Sequence, residues 1–258
     1  MAARPVYPTW IRSSRTVTFW LLAVGSVVLA VAVSPFWRPG LAIALLAAPF
    51  FYIAGVLTLT AHRLGPRGGD VQGAIHQLMI DAVGRKGRLL DVGCGSGQLL
   101  IRLAKSAPGG YVGIDFWGDD WHYSQSRAEH NAALEAVQGV EFRRGSASKL
   151  LFADGEFGRV VSCLTFHEVR DVEDKTVSIA EALRVLETGG RFVFVDLFDD
   201  PRLYRGRTEV VKAIESAGGT IDSCRRLSEC LDLGFPLNLA KVLKYAVLVS
   251  GNKSRPRD

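Results

Sequence analysis

Residues 89–100 read LLDVGCGSGQLL, with Gly93, Cys94, Gly95 and Gly97 between an apolar run that closes on Asp91-Val92 and a second run that starts at Gln98. Glycine takes positive φ without strain and lets a ligand lie against backbone N–H groups. A turn of this kind between a strand and a helix therefore suits a nucleotide or another anionic ligand. Gln98 stands where a dinucleotide fingerprint has its last glycine, which disfavours a bound pyrophosphate. A plain tight turn uses the same residues. The next strand, Tyr111-Val-Gly-Ile-Asp115, ends in an acid 18 residues after Gly97. An acceptor-only carboxylate at a strand tip at this distance suits ribose hydroxyls. Alone, Asp115 reads as a helix cap; with the glycine turn it specifies a nucleoside site.

The elements that must position these groups follow from pattern. Apolar runs at 88–92, 111–115, 140–144, 159–164 and 191–197 read as strands, the last after a stop at Gly189-Gly190. Helical spacing covers 70–83, 98–104, 120–136, 176–186 and 208–217, and 220–226 with 245–250 reads as a closing strand pair. This alternation predicts an α/β fold: a doubly wound, Rossmann-like sheet covered on both faces, with ligands at the carboxyl ends of the strands. Only the tail 252–258 reads as disordered.

LLDVGCGSG, VGID, VEFRRGSASKLLFADGEF, VVSCLTFHEVRD and EALRVLETGGRFVFVD, in this order and spacing, resemble the class I S-adenosylmethionine-dependent methyltransferases from about Gly87 to Asp196. The resemblance implies S-adenosylmethionine as methyl donor. It places Asp91, Gly93, Cys94, Gly95 and Gly97 along its methionine half, Asp115 on the ribose, and Phe116 or Trp117, with Ser146 and Ala147, beside the adenine. Two positions depart from the family: its usual acid after Gly145 is Ser146, and its Phe-Asp pair before the fourth strand is Phe157-Gly158. A serine hydroxyl still accepts a bond from the adenine amino group.

Methyl transfer is an in-line displacement in which positioning supplies most of the acceleration. An acceptor with a proton to lose needs a base as well, and His167 with Glu168, just past the fourth strand, is the best-placed pair. The alternative role for His167 is to line the cofactor cleft. The stretch Phe116–Tyr123 is suited to clasping adenine, covering the acceptor or packing a helix. Leu231–Leu239 reads as core or as a wall for a lipid tail.

The first 67 residues are different material. Residues 16–33 and 41–61 carry no charge and, at about 1.5 Å per residue, reach roughly 27 and 31 Å, long enough for two membrane spans joined by Ser34–Gly40. A buried soluble hairpin is the competing reading, disfavoured because neither segment has a polar face. Arg4, Arg12 and Arg15 precede the first span, Arg38 alone lies in the loop, and Arg63 and Arg67 follow the second, so both termini and the catalytic domain are expected in the cytoplasm. The expected organisation is a membrane anchor at 1–67 and a methyltransferase domain at 68–258. Arg63–Gly69, extended, reaches only some 25 Å, which would keep the cleft near the lipid headgroups.

Of 31 basic and 26 acidic residues, six arginines and no acid fall in positions 1–67, leaving 25 basic against 26 acidic beyond them. A near-neutral domain disfavours a nucleic-acid partner. Four cysteines without a CxxC pair imply neither a metal site nor a disulfide framework. The expected partners are the lipid bilayer and a membrane-associated small-molecule or lipid acceptor. The alternatives are a protein acceptor, or a non-catalytic cofactor-binding module that assembles a membrane complex.

Overall fold

The computed structural model describes residues 4–36, 42, 44–118 and 123–254. The chain divides into two compact units, one of residues 1–7, 74–233 and 241–258, the other of residues 8–73 and 234–240. The boundary expected at 67/68 falls inside the second unit, in a turn where Gly68 and Asp70 donate N–H bonds to the Gly65 carbonyl.

In the second unit, α1 (Ser13–Val33) and α2 (Ala47–Leu64) form a helical pair. Both helices are long and apolar enough to cross a membrane. Ala23 and Ala30 on α1, and Ala47 and Ala54 on α2, are spaced by seven and buried to 2% exposure or less. Small residues at that spacing let two helix backbones approach closely. The Phe19 and Phe50 rings are tilted at 37° to each other, Trp20 meets Phe51 edge-on, and the Trp20 indole N–H donates to Thr58 Oγ1 at 3.0 Å. Of the expected connecting loop Ser34–Gly40, positions 37–40 lie outside the described residues, as do 41 and 43.

The first unit begins its regular structure with α3 (Val71–Val83), whose first three residues belong to the second unit. The order is then β1 (Leu89–Val92), α4 (Gln98–Ser106), β2 (Tyr111–Asp115), α5 (Gln125–Leu134), β3 (Val140–Arg144), β4 (Phe157–Cys163), α6 (Thr176–Arg184) and β5 (Leu186–Asp196). It closes with α7 (Arg207–Ser216), β6 (Gly219–Arg226), the short turns of helix α8 (Leu227–Cys230) and α9 (Lys241–Lys244), and β7 (Val247–Lys253). The seven strands lie in the order β3-β2-β1-β4-β5-β7-β6. β1 to β5 run parallel, and β7 pairs antiparallel with both β5 and β6.

The order reverses between β1 and β4. The chain winds outward to β2 and β3 through α4 and α5, then outward the other way through α6. Right-handed crossovers in opposite directions place these helices on opposite faces. On one face Leu90, Val92, Val160, Phe192 and Phe194 are buried with Ile179 and Leu183 of α6. The reversal also leaves a crevice at the carboxyl ends of β1 and β4, the place where open α/β sheets bind ligands.

In the first unit, three elements differ from the sequence reading by more than two residues at a boundary. The helix expected over 120–136 spans Gln125–Leu134, and its expected start lies in 119–122, outside the described residues. Gly189-Gly190 is not a stop: β5 begins at Leu186, and the glycines sit within it beside the register shift between Phe157 and Arg159. A Cβ on Gly190 would come within 2.9 Å of the carbonyls of Glu187 and Gly158, so the close backbone approach itself calls for glycine. At the C-terminus, β7 takes in Asn252 and Lys253 of the expected tail, while 255–258 lie outside the described residues.

Gly158 also has a structural reason. A Cβ there would lie 3.0 Å from the Gly87 Cα and 3.0 Å from Glu187 Oε1, and the neighbouring Arg159 is buried, donating to the carbonyls of Gly84 and Gly87.

Candidate functional site

β1 is buried throughout and delivers Asp91, 1% exposed, to the edge of the glycine turn. Gly93, Gly95 and Gly97 take φ of 81°, 54° and 81°, all left-handed. The Gly93 and Cys94 N–H groups donate to the Ile114 carbonyl, which ties the turn to β2. Gly97 is the N-cap of α4 and offers no side chain, so the helix start has no side-chain cap of its own.

Asp115 does more than stand at its strand tip. Its Oδ2 accepts from the Gly95 N–H at 2.9 Å and its Oδ1 from the Trp117 N–H at 2.8 Å. The Gly95 amide, expected to face a ligand, is engaged by the neighbouring carboxylate instead. Trp117, held at φ 45°, returns its indole N–H to the Gly95 carbonyl at 2.9 Å. Phe116 is exposed, with the Arg144 guanidinium 5.5 Å above its ring. The Tyr123 ring packs 3.5 Å from where a Cβ on Gly95 would sit. Asp119–His122, the middle of that aromatic stretch, lie outside the described residues.

Cys94 is buried, and its thiol is pushed well above the ordinary range by burial and then by Asp115 and Asp91, which leaves it inert. Ala147 packs in the hydrophobic core. Ser146 Oγ donates to Asp171 Oδ2 at 2.7 Å.

The other wall of the crevice is the segment after β4. Leu164 takes φ 57° and bonds its N–H to the Val195 carbonyl, which turns the chain back over β1. Thr165 then lies so close to Gly93 that a Cβ there would fall inside its side chain. In the 3₁₀ turn Phe166–Glu168, the His167 Nδ1–H donates to Asp196 Oδ1 at 2.6 Å, and Glu168 Oε1 stands 3.6 Å from Nε2. Asp196 ends β5, is wholly buried, and also receives the Leu197 N–H at 2.6 Å. Burial alone would lower the His167 pKa; the charge and hydrogen bond of Asp196, helped by Glu168, outweigh it and raise it above 6.5.

Thr165, Asp171 and Asp196 were not singled out from sequence. Asp196 had a usable signal: like Asp91 and Asp115, it is an acid at the carboxyl end of an apolar strand. The other two come to the site only through the turn at Leu164.

The donor set fits the cofactor that the glycine turn implies. Asp91 Oδ2 is buried with no hydrogen-bond partner among the described residues. Burial and the nearby Asp115 raise its pKa from 3.8 to about 8, so the carboxyl is neutral near pH 7. An orphaned acceptor beside a turn without side chains suits a ligand bearing an ammonium group.

This neutral acid sets a pH dependence. Because the folded-state pKa lies above the unfolded one, the folded chain holds the extra proton between pH 3.8 and about 8. The stability contribution of Asp91 is therefore complete below that window and falls across it, by up to about 1.4 kcal/mol per pH unit. A cationic ligand favours the ionised form. Calorimetric affinity for S-adenosylhomocysteine is thus expected to rise as pH increases toward about 8. In Asp91→Asn that slope should vanish, and the thermal midpoint above pH 8 should be higher than in the wild type. A slope that persists in the variant would assign the proton elsewhere.

Residues 90–194 match the family described as methyltransferase domain. The chain is 34% identical over 110 residues to a fatty-acid O-methyltransferase of Mycolicibacterium smegmatis, covering 42% of this chain and 36% of that protein. It is likewise 34% identical over 110 residues to a demethylmenaquinone methyltransferase of Lactiplantibacillus plantarum, covering 42% and 44%. The matched part is thus less than half of either relative. Among solved structures, the geranyl diphosphate C-methyltransferase of Streptomyces coelicolor, in complex with S-adenosyl-L-homocysteine, superposes with a TM-score of 0.58 at 16% identity. That superposition covers 72% of this chain and 81% of that one, and it shows the shared fold. Residues 90–194 thus match a methyltransferase domain in sequence, and the fold around them is shared with a solved methyltransferase.

Proposed function

We propose that this chain is a membrane-anchored methyltransferase that moves the methyl group of S-adenosylmethionine to a small, lipid-like acceptor, with His167 as the base and Asp196 as its positioning partner. The observation that carries the chemistry is the 2.6 Å His167–Asp196 pair on the wall of the crevice opposite the glycine turn. Bound against that turn, the cofactor supplies a methyl group already activated by its sulfonium. Asp115 would hold the ribose diol through carboxylate lone pairs not used by Gly95 and Trp117. The Asp196 carboxylate fixes the proton on His167 Nδ1, which leaves Nε2 to take the proton from an acceptor hydroxyl or acidic carbon as its bond to the methyl carbon forms. Glu168, beside Nε2, steadies the imidazolium that results.

The membrane reading rests on exposure. Only 11% and 17% of the two apolar helical windows are buried, whereas the core helix of a soluble protein hides most of its surface. Leu21, Val28, Val31, Leu45 and Tyr52 stand 60% or more exposed, while the alanines face the helix seam. A hairpin with its apolar side chains outward suits a lipid solvent. The relatives named for fatty acids and demethylmenaquinone support an amphipathic acceptor.

Reconstituted in liposomes with methyl-labelled cofactor, the full-length protein should label material in the lipid extract. It should also favour a long-chain acceptor over its short-chain analogue, and remain in the pellet on alkaline extraction. Label appearing on protein, or equal rates for both acceptors, would reject the lipid-like acceptor. Release by alkali would reject the anchor.

A further inference from the structure

The segment 163–171 touches the end of one strand after another: Thr165 meets Gly93 after β1, His167 meets Asp196 on β5, and Asp171 reaches the end of β3. There the Asp171 Oδ2 accepts the Ser146 hydroxyl at 2.7 Å and the Ser148 hydroxyl at 2.6 Å. The two hydroxyl oxygens also stand 2.9 Å apart, so each serine's one proton goes either to that carboxylate oxygen or to the other serine. Ser146 Oγ also receives the Ser148 N–H at 3.2 Å. What the cluster leaves to a ligand is lone pairs only: it can accept hydrogen bonds and has no hydroxyl proton left to donate.

Its place in the sheet says which part of the cofactor would meet it. The glycine turn follows β1 and the ribose acid Asp115 ends the neighbouring β2. A nucleoside extending from turn to ribose carries its base onward to the next strand end, that of β3, where Gly145 bonds its N–H to the Asp115 carbonyl and Ser146 follows. The exposed Phe116 and Arg144 flank the same end. The loop bearing Asp171 is held in turn by the Lys175 ammonium, which donates to the carbonyls of Val169 and Val172.

The geometry assigns to Asp171, supported by Ser146 and Ser148, the reading of the adenine 6-amino group, so that an acid from the loop after β4 selects adenine over a base with a 6-oxo group. The inference rests on the reading of the cofactor cleft given above. The two serine hydroxyls, Ser148 before Ser146, also hold the Asp171 carboxyl below its ordinary pKa, which keeps it an acceptor well into the acid range.

The test compares two ligands by calorimetry on the full-length protein in detergent micelles: S-adenosylhomocysteine and S-inosylhomocysteine, in which a 6-oxo group replaces the amino group. The wild type should prefer the adenine ligand by about tenfold or more, the effect of one charged hydrogen bond. In Asp171→Asn, whose amide keeps the shape and can donate to a 6-oxo group, the preference should shrink by about tenfold or invert. Asp171→Ala should also lose the preference, without favouring the oxo ligand. A preference unchanged in both variants overturns the inference, and so does an equal loss for both ligands, which would mark Asp171 as a structural support. If the wild type binds neither ligand, the cleft reading falls and this inference falls with it.

Discussion

Replacing Asp196 with Asn is expected to lower turnover of the full-length protein by roughly 100- to 10,000-fold, the range associated with a positioned general base. Cofactor affinity should change little, because Asp196 is wholly buried and its contacts run to His167, the Leu197 N–H and Tyr204. Two effects combine. An amide at this position can turn its NH2 toward Nδ1 and place the ring proton on Nε2, the nitrogen that must be free. The lost charge also weakens the imidazole as a base. Since His167 titrates above 6.5 in the folded chain, its neutral form grows as pH rises, and wild-type turnover should climb through a midpoint above that value to a plateau. In Asp196→Asn the midpoint should move to lower pH, because burial then acts with less opposition. A rate profile with the same midpoint and height as the wild type would remove the pair from the chemistry.

Gly93→Ala is the second large effect. At φ 81° a side chain costs about 1–2 kcal/mol in backbone strain, and the new methyl would overlap Thr165, adding about 1–3 kcal/mol of overpacking. The thermal midpoint should drop by on the order of 10 °C. Affinity for S-adenosylhomocysteine should fall by about 100-fold, as the turn and the Thr165 wall separate by the equivalent of one methyl group. Gly95→Ala provides the contrast in stability. Its Cβ would meet the Tyr123 ring at an ordinary 3.5 Å, so it carries the backbone strain without the clash. Equal losses of stability in the two variants would show that the Gly93–Thr165 contact does not constrain the turn.

The parts of the site legible in the sequence are those built from short-range pattern. LLDVGCGSG and VGID each hold a strand, its terminal acid and the following turn within a few residues, so the strand-to-helix turn and the placing of Asp115 at a strand end could be read directly. The partners of those groups could not. His167 and Glu168 are adjacent in sequence and drew attention as a pair, yet the closer partner of the imidazole is Asp196, 29 residues on, across the β4–β5 pairing. Ser146 looked like a missing acid because the carboxylate beside it comes from 25 residues away. Gly158 departs from the family pattern for a reason only the fold shows, the approach of Gly87 and Glu187. Gly189-Gly190 is ambiguous in the sequence because a glycine pair after a helix signals a stop as strongly as it signals an irregularity inside a strand. Only the neighbouring strand distinguishes the two.

The residues before the helical pair carry a consequence for how many times the chain can cross a bilayer. Val6 exchanges two backbone hydrogen bonds with the Asn131 side chain, at 2.9 and 3.0 Å, and the same amide donates to the Ser96 carbonyl in the glycine turn. The chain therefore leaves a folded body before α1 and is back in the same body by Ala74. A path that starts and finishes on one body can pass through a membrane only an even number of times. One helix lying across the bilayer with the other outside it would require the Val6–Asn131 pair to open. Parity, independently of where the arginines fall, admits either two crossings or none.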